Sequence, residues 1–590
     1  MNENEFSLVD FLYLENGDLP LKKRVNADGL YSPSDKEGRA LTVSEGNLSS
    51  VPSRPPSLMP VAQEGDSLIP QEPLKPGEQY RFHFDMSRCV GCQCCVVACN
   101  EQNNNPADVN WRRVGEIEGG EYPLTKRFHL SMACNHCLDP ACLTGCPTDA
   151  YVKLEDDGVV VHKEEECIGC GYCTWNCPYS VPQFNPERKI VTKCDMCHNR
   201  LADGLEPACV AACPEQAIRI EKVSIAEWRE NHTQADAPHV PESGITISTT
   251  RITLPTAVPT EMLRANRHRI EPEKPHTPLI FMTVLTQLAA GGFLTLWLGD
   301  LLSRFFDSLK PLQNFLVFGA CRMLVVTGIA LSASIFHLGR PLYAYKALRA
   351  WKRSWLSREV LLFSLFSFSG SAFAGLLLGT HYASLSLSYA LRLTLGGVVA
   401  LLGMAGVFAS AKIYLVPARP AWNSARTPLR FFLTGLILGP FFSLVVYSLY
   451  LVFHVPGRVA AFFLGPISLW LAVSSAAAFL QLLVLVARLF HLHPNQPDEL
   501  YGSATLLTRR FGGHFLVRIG LLVLGNFLLP FWLINFLSRG HASSGWLLAF
   551  ASVGFFLSLI GELLGRYLFF VTVVPKNIPG SFFTGNGSVS

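Results

Sequence analysis

Residues 89–100 read CVGCQCCVVACN and place five cysteines within eleven positions. Four of them follow the spacing C-x2-C-x2-C-x3-C, and they are Cys89, Cys92, Cys95 and Cys99. A C-x2-C-x2-C loop can wrap three irons of one cubane, whereas the cysteine three positions later reaches a neighbouring cluster. This stretch therefore predicts ligands for two iron–sulfur clusters, with Cys94 as a small packed thiol beside them.

Sixteen cysteines in all follow patterns of this kind. The three further groups are Cys134, Cys137, Cys142 and Cys146; Cys167, Cys170, Cys173 and Cys177; and Cys194, Cys197, Cys209 and Cys213. Disulfides do not suit cysteines this close within a group. A zinc ribbon uses two C-x2-C pairs with a longer spacer, which would suit the last group alone but not all four. The sequence therefore predicts four [4Fe–4S] clusters.

The exchange of the fourth cysteine requires the groups to combine into two ferredoxin-like units. Either the first group combines with the second and the third with the fourth, or the outer two groups combine and enclose the inner two. Spacing leaves both arrangements open.

The motifs CNHCLDPAC at 134–142 and CIGCGYCTWNCPY at 167–179, with the long fourth group, resemble the iron–sulfur subunit of the DMSO reductase, nitrate reductase and formate dehydrogenase families. The likeness covers roughly residues 79–225, and in those families the inner ferredoxin unit is inserted in the outer one. It implies four ligand sets: Cys89, Cys92 and Cys95 with Cys213; Cys194, Cys197 and Cys209 with Cys99; Cys134, Cys137 and Cys142 with Cys177; and Cys167, Cys170 and Cys173 with Cys146. No third-group cysteine is replaced by Trp, as happens in nitrate reductase relatives, so four cubanes are implied.

The 590 residues are too many for one hydrophobic core, so at least two domains are expected. A net charge of +3 argues neither for nucleic acid nor for an acidic ligand. Residues 1–78 are rich in Pro, Ser, Gly and acidic groups, which predicts an extended, partly disordered tail whose stretch FSLVDFLYL can dock on a partner. The other predicted segments are the iron–sulfur domain 79–225, a connector 226–277, a membrane domain 278–574 and a tail 575–590.

From about Leu279 the sequence is a series of apolar stretches, and eight are long enough to cross a bilayer. They are 279–302, 315–338, 360–379, 392–415, 431–453, 462–486, 515–537 and 546–572. The motifs TQLAAGG, SIFHLGRPLYAYKAL, SREV, KIYLVPARPAWN and GELLGRYLFF resemble the membrane anchor of DMSO reductase, a quinol-binding subunit without haem. The expected fold class is a nested pair of α+β ferredoxin-like units followed by an all-α bundle of eight membrane helices.

Ionisable side chains within membrane spans are costly and often functional. A candidate quinone site lies near the iron–sulfur side of the second and third spans, and it comprises His337, Arg340, Arg358 and Glu359. Histidine suits proton exchange near neutral pH. Glu562 and Arg566 are weaker candidates, because an ion pair within one helix explains them equally well. The remaining histidines near the spans lie at span ends or in loops, so no haem b is expected.

Loops 339–359, 412–430 and 487–513 are predicted on the same side as the iron–sulfur half and hold thirteen Lys and Arg, against five in the opposite loops. Short basic loops stay in the cytoplasm, so this count predicts a cytoplasmic iron–sulfur domain on a bacterial inner membrane. The first residues, MNENEFSLVDF, have neither the basic nor the apolar region of a signal peptide, which favours the same side. Basic loops that dock the iron–sulfur domain are the alternative explanation.

Together these features predict an electron-transfer and membrane-anchor subunit of a molybdopterin oxidoreductase complex. Electrons would pass between menaquinone or ubiquinone in the membrane and a separate catalytic subunit, through four clusters. Both directions stay open: reduction of an S-oxide, or oxidation of a sulfite-type substrate. The alternative is a redox module of a larger respiratory assembly, with multihaem cytochromes and no molybdoenzyme partner.

Overall fold

The computed structural model describes residues 24–25, 31–32, 67–120, 125–256, 262–264, 270–382, 387–454, 464–493, 496–539 and 543–578. The polypeptide divides into two compact units, Met1–Gly65 and Asp66–Ser590. In the first unit, Arg24–Val25 pairs antiparallel with Tyr31–Ser32, and the predicted docking stretch FSLVDFLYL lies outside the described residues. In the second unit, Leu68 is buried and its carbonyl accepts from the Ile220 amide (2.9 Å), so packed structure begins before the predicted boundary at residue 79.

The first sheet joins the two ends of the iron–sulfur half. Glu78–Asp85 pairs antiparallel with Ile218–Ser224, and Phe82 and Phe84 of the first strand point into the core. Between these strands in the sequence lie two short hairpins: Tyr151–Lys153 with Val160–His162, and Gln183–Asn185 with Ile190–Thr192. The outer part of the domain therefore encloses the inner part, which is the nested alternative.

Part of the predicted connector belongs to the iron–sulfur fold. Arg251–Thr253 adds a parallel strand to the first sheet, beside Glu78–Asp85. Met262–Arg264 pairs antiparallel with Arg113–Gly119, which pairs on its other edge with Lys126–Met132. The connector thus adds one edge strand to each sheet before the polypeptide enters the membrane helices.

Short helices carry the cysteine groups, and their bounds are Cys94–Asn103, Ala141–Gly145, Tyr172–Asn176, His198–Ala202 and Ala208–Ala211, followed by Ile225–Asn231 directly after the strand Ile218–Ser224. Gly91 and Gly169 lie between the first two cysteines of their groups, with φ of 71° and 69°. Glycine adopts this left-handed backbone without steric cost, and it lets the C-x2-C loop fold back on itself.

Among the described residues, eight helices are long and apolar enough to cross a membrane: Thr277–Leu302, Asp307–Ile335, Trp355–Tyr382, Tyr389–Ile413, Arg426–His454, Leu464–Leu492, Gly512–Ser538 and Ser544–Val571. The predicted eight-helix bundle is confirmed. The first helix is the most enclosed by its neighbours, and it crosses the fifth where Gly291 meets Gly435 and Gly439. A Cβ at Gly291 or Gly439 would collide with the facing backbone, so glycine permits this close crossing.

The seventh membrane helix is interrupted by a π-helical turn, Leu524–Leu528. Asn526 lies in this turn and is fully buried. Its side chain accepts from the Ser474 hydroxyl (2.9 Å) and donates to the Ser558 hydroxyl (3.0 Å). The turn therefore provides a polar contact that joins the sixth, seventh and eighth helices.

The loop after the second membrane helix joins the two halves. The amides of Gly339 and Arg340 donate to the carbonyls of Gly169 and Ile168 (3.3 and 3.0 Å). A Cβ at Gly169 or Gly339 would collide with the Lys189 carbonyl, so the two loops meet backbone to backbone.

Four of the six basic residues in loop 339–359 bind the iron–sulfur half. Their acceptors are the Glu164 carbonyl for Arg340 (2.9 Å), the Glu166 carboxylate for Lys346 (2.9 Å) and Arg349 (2.5 Å), and the Asp149 carboxylate for Arg353. These are the contacts that the docking explanation predicts. Part of the basic excess on this side therefore reflects attachment of the iron–sulfur half rather than the sidedness of the membrane.

Candidate functional site

The first cysteine group lines a cavity together with a cysteine from the end of the fourth group. Cys89, Cys92 and Cys95 surround a space of about 330 Å³ with Cys213. The Ala217 amide donates to the Cys213 Sγ (3.3 Å). The side chain of Cys94 is exposed at the start of its helix.

A second cavity, of about 380 Å³, brings together cysteines of the second and third groups. Its lining includes Cys134, Cys137, Cys142 and Cys177. The Thr246 hydroxyl donates to the Cys137 Sγ (3.1 Å). Each of the two cavities therefore joins three cysteines of one group to a single cysteine of another.

The other eight cysteines of the four groups form two further sets. Burial and the thiols of Cys209 and Cys197 act together to raise the pKa of Cys99. Burial raises the pKa of Cys170 to about 12, and Cys146 and Cys167 add to this shift. Cys99 therefore lies with the fourth group, and Cys146 lies with the third.

These surroundings fit clusters held by thiolates. Burial raises the pKa of Cys89 and of Cys177 to about 11, so a thiolate at either position requires a positive partner, which iron would provide. The amides of Ala150 and Met196 donate to the sulfur atoms of Cys146 and Cys194 (3.4 Å each). Such N–H···S bonds stabilise a negatively charged cluster.

Trp175 connects the third cysteine group to the membrane half. It lies between Cys173 and Cys177 and is 5% exposed. Its ring contacts four rings at centroid distances of 5.3 to 6.2 Å: those of His276, Tyr414, Trp422 and Phe570. Cys170 packs against the same core. Of the four cysteine groups, the third is thus the one that packs into the core of the membrane bundle.

His337 lies just after the second membrane helix and is partly buried. Its Nδ1 bonds the Ser334 carbonyl, and burial lowers the pKa of His337 to about 4. The ring is therefore neutral near pH 7, and because Nδ1 carries the proton, Nε2 is a hydrogen-bond acceptor.

Arg358 and Glu359 both lie in the first turns of the third membrane helix, which begins earlier than predicted. Arg358 donates to the carbonyls of Trp351 (3.1 Å) and Lys352 (2.6 Å), on the outer side of the protein. Glu359 is 3% exposed and faces the interior. The structure therefore does not bring the four candidate quinone residues together, since Arg340 binds the iron–sulfur half and Arg358 points away from Glu359.

Glu562 and Arg566 do not make the expected ion pair within one helix. Glu562 accepts from the Thr434 hydroxyl (2.6 Å) and pairs with Arg518 (3.4 Å). Arg566 donates to the Gln287 side chain (2.8 Å) and lies over the Phe431 ring at 3.7 Å. Both side chains instead join the eighth helix to its neighbours.

Two buried cations beside the cysteines were missed at the sequence level. Arg112 is 2% exposed and Lys193 is 3% exposed. The available signals were the basic pair in WRRV at 111–114 and the lysine directly before Cys194. Basic residues are rarely buried unless a negative charge lies nearby, but burial could not be read from these short stretches.

Two family models match the sequence. The DMSO reductase anchor subunit (DmsC) model matches residues 272–571, and the 4Fe-4S dicluster domain model matches residues 125–223. The first covers the eight membrane helices, and the second covers the second, third and fourth cysteine groups.

Several relatives are similar to the iron–sulfur half. An iron–sulfur-type chain of the anaerobic dimethyl sulfoxide reductase of Haemophilus influenzae is 41% identical over 179 residues, which is 29% of this protein and 86% of that relative. The probable anaerobic dimethyl sulfoxide reductase chain YnfG of Escherichia coli is 43% identical over 162 residues, 26% of this protein and 78% of that relative. A subunit of the sulfite dehydrogenase of Allochromatium vinosum is 36% identical over 160 residues, 24% of this protein and 67% of that relative.

Proposed function

This protein belongs to the DMSO reductase anchor-subunit family, and it joins that anchor to an iron–sulfur half similar to a DMSO reductase chain. We propose that it exchanges electrons between membrane quinone and four [4Fe–4S] clusters. A separate molybdopterin subunit takes up or supplies the electrons at the other end, since the similar proteins are named as chains of DMSO reductases. The observation that supports this function best is the continuous series of cysteines from the exposed Cys92 to Cys170 beside the membrane helices.

We assign four ligand sets on the basis of the two cavities and the neighbouring thiols. The first set is Cys89, Cys92, Cys95 and Cys213; the second is Cys194, Cys197, Cys209 and Cys99; the third is Cys134, Cys137, Cys142 and Cys177; and the fourth is Cys167, Cys170, Cys173 and Cys146. Each bound cluster would carry one electron at a time.

Neighbouring thiols support the order of the sets along the path. The Cys95 thiol is acted on by Cys209, which adjoins the first set to the second. Cys194 is acted on by Cys134, which adjoins the second to the third. Tyr151 is acted on by both Cys173 and Cys142, which adjoins the third to the fourth. The fourth set is then the one next to the membrane, and the first is the one nearest solvent.

At the membrane end, His337 and Glu359 are the proposed proton acceptors for quinol. Oxidation of a quinol releases two electrons and two protons. The Nε2 of a neutral His337 can accept a proton directly, and the buried Glu359 carboxylate is the second candidate. Arg340 fixes the loop that follows His337 onto the iron–sulfur half, close to the fourth set.

The full-length protein tests this function in detergent or in proteoliposomes. It should bind about sixteen Fe, as expected for four cubanes, and added menaquinol or ubiquinol should reduce the clusters. Much less iron would contradict the four-cluster assignment. Clusters that are fully loaded but not reduced by either quinol, and not oxidised by either quinone, would contradict the link to the quinone pool.

The partner and the direction need a second experiment. Affinity purification of the tagged protein from its own membranes should recover a large molybdenum-containing subunit. Turnover with an S-oxide would support the reductase direction, and turnover with sulfite would support the direction suggested by the name of the Allochromatium relative. Recovery of multihaem cytochromes without molybdenum would contradict the proposed partner.

We place the iron–sulfur half on the cytoplasmic side of a bacterial inner membrane. Even without the four docked residues, the loops on its side hold more Lys and Arg than the five in the opposite loops. Protease added to inverted membrane vesicles should cleave the iron–sulfur half. Protection in inverted vesicles, with cleavage in spheroplasts, would place it on the opposite side.

A further inference from the structure

A buried arginine lies between the first and second ligand sets. The Nη1 of Arg112 donates to the Ser131 hydroxyl (3.1 Å), which also bonds the Cys95 Sγ (3.3 Å). Burial opposes the charge of Arg112, but the thiols of Cys209 and Cys95, one from each set, raise its pKa above the usual value. Its Nε and Nη2 have no hydrogen-bond partner among the described residues. Two N–H groups of this guanidinium are therefore available to cluster sulfur.

A buried lysine lies between the second and third sets. Lys193 lines the cavity that contains Cys134 and Cys142 of the third set. Its Nζ donates to the carbonyl of Cys194, a ligand of the second set (2.6 Å), and to the carbonyl of Val160. One ammonium group therefore adjoins both sets.

The gap between the third and fourth sets contains a neutral group instead. Tyr151 is 3% exposed, and its hydroxyl has no partner within the part of the protein that the structure describes. Burial and the thiols of Cys173 and Cys142 raise the pKa of Tyr151 well above its usual value, so the phenol keeps its proton. Successive gaps thus contain a guanidinium, an ammonium and a phenol.

We propose that Arg112 and Lys193 raise the reduction potentials of the clusters beside them and thereby draw electrons away from the membrane end of the path. The inference rests on the proposed ligand sets. Reduction adds one negative charge to a cluster, and a fixed positive charge in a water-poor interior stabilises that reduced form. The first three clusters each adjoin at least one of these cations, whereas the gap that precedes the fourth has only Tyr151. The arrangement favours electron flow from quinol toward the catalytic partner.

Redox titrations followed by EPR test this in the full-length, cluster-loaded protein. In an Arg112→Gln variant, the equilibrium constants for reduction of the first and second clusters should fall about tenfold, which is about 59 mV for a one-electron couple. In a Lys193→Met variant the second and third clusters should shift in the same direction. An Arg112→Lys variant keeps the charge and should restore most of the potential.

Arg81 provides a matched control. It is buried and lies over the Trp228 ring at 4.6 Å, much as Arg112 lies over the Phe82 ring at 4.8 Å. The guanidinium of Arg81, however, pairs with the Glu221 carboxylate (2.8 Å). An Arg81→Gln variant should leave all four potentials unchanged.

The outcomes separate this inference from the function on which it rests. Wild-type protein that lacks four clusters would count against the ligand sets themselves. Unshifted potentials in Arg112→Gln and Lys193→Met proteins with full iron would overturn the role of the two cations. If the Arg112→Gln protein loses iron, the Lys193→Met protein decides the question at the next gap.

Discussion

In the iron–sulfur half, three of the four cysteines in each proposed set lie on one stretch of sequence, whereas in the membrane half the partners of Glu562 come from three other helices. These partners are Thr434, Gln481 and Arg518. A loop that wraps a cluster brings its ligands together by local geometry alone. A polar site among membrane helices forms only when the helices pack, so its members have no fixed spacing. The two halves therefore respond differently to single substitutions.

The largest effect is expected at Cys99, the ligand that leaves its own group. Cys99→Ser should remove the second cluster, because Cys99 lies with Cys209 and Cys197. Iron should fall by about a quarter, as one of four cubanes is lost, and transfer from quinol to an acceptor should stop. Iron analysis and EPR measure this.

Cys94 is the matched control, since it lies in the same run but its side chain is exposed. Cys94→Ser should retain all iron. Loss of a cluster from Cys94→Ser, with none from Cys99→Ser, would show that the exchange is assigned incorrectly.

In the membrane half, the largest effect is expected on stability. Arg518→Leu leaves the Glu562 carboxylate buried without its ion-pair partner, which costs about 3–5 kcal/mol. Adding Glu562→Gln should recover part of that loss. Thermal unfolding in detergent measures both. The exposed Arg510→Leu is the control and should change stability little, and an equal loss there would mean that the buried pair has no special role.

His337→Ala is expected to slow quinol oxidation about a hundredfold, the usual contribution of a general base, with iron content unchanged. Since burial holds the pKa of His337 at about 4, its ring stays neutral and should add no titration to the rate between about pH 6 and 8. Stopped-flow reduction of the clusters by quinol measures both effects.

His454 is a suitable control because it lies at the far end of the fifth membrane helix and stacks on Tyr450. His454→Ala should oxidise quinol at the wild-type rate. Equal slowing in both variants would remove the case for a quinone site at His337.

The smallest effect is expected at Arg358. Its guanidinium caps the carbonyls of Trp351 and Lys352 on the outer side of the protein. Arg358→Gln should change the quinol oxidation rate by less than about twofold, because surface contacts of this kind contribute little. Glu359→Gln in the same assay should slow the reaction much more. The reverse order would mean that quinone approaches from the outer face.

The contrast between the halves also explains which features were predictable. Cysteine spacing identified all sixteen candidate ligands, but it left the combination of groups open. That combination depends on the pairing of Glu78–Asp85 with Ile218–Ser224, which are far apart in the sequence. Apolar length likewise predicted eight membrane helices, because a bilayer sets the length of each one independently.

Side-chain direction was the part that sequence could not supply. Arg358 and Glu359 are adjacent, yet one lies on the outer side and the other in the interior. Arg566 is one turn from Glu562 but bonds Gln287 on the first membrane helix. Arg112 and Lys193 looked like ordinary surface cations until the fold buried them among cysteines. In each case the deciding contact comes from a segment distant in the sequence.

The backbone contact between Gly169 and Gly339 has a consequence for assembly. Around it lie exposed ion pairs, such as Arg349 with Glu166, which salt readily weakens. Two separate subunits would have to form this junction from dilute solution. Here one polypeptide carries both surfaces, so each experiences the other at an effective concentration of about a millimolar or more. A covalent link of this kind keeps the electron path intact at salt and protein concentrations at which separate subunits with the same surfaces would dissociate.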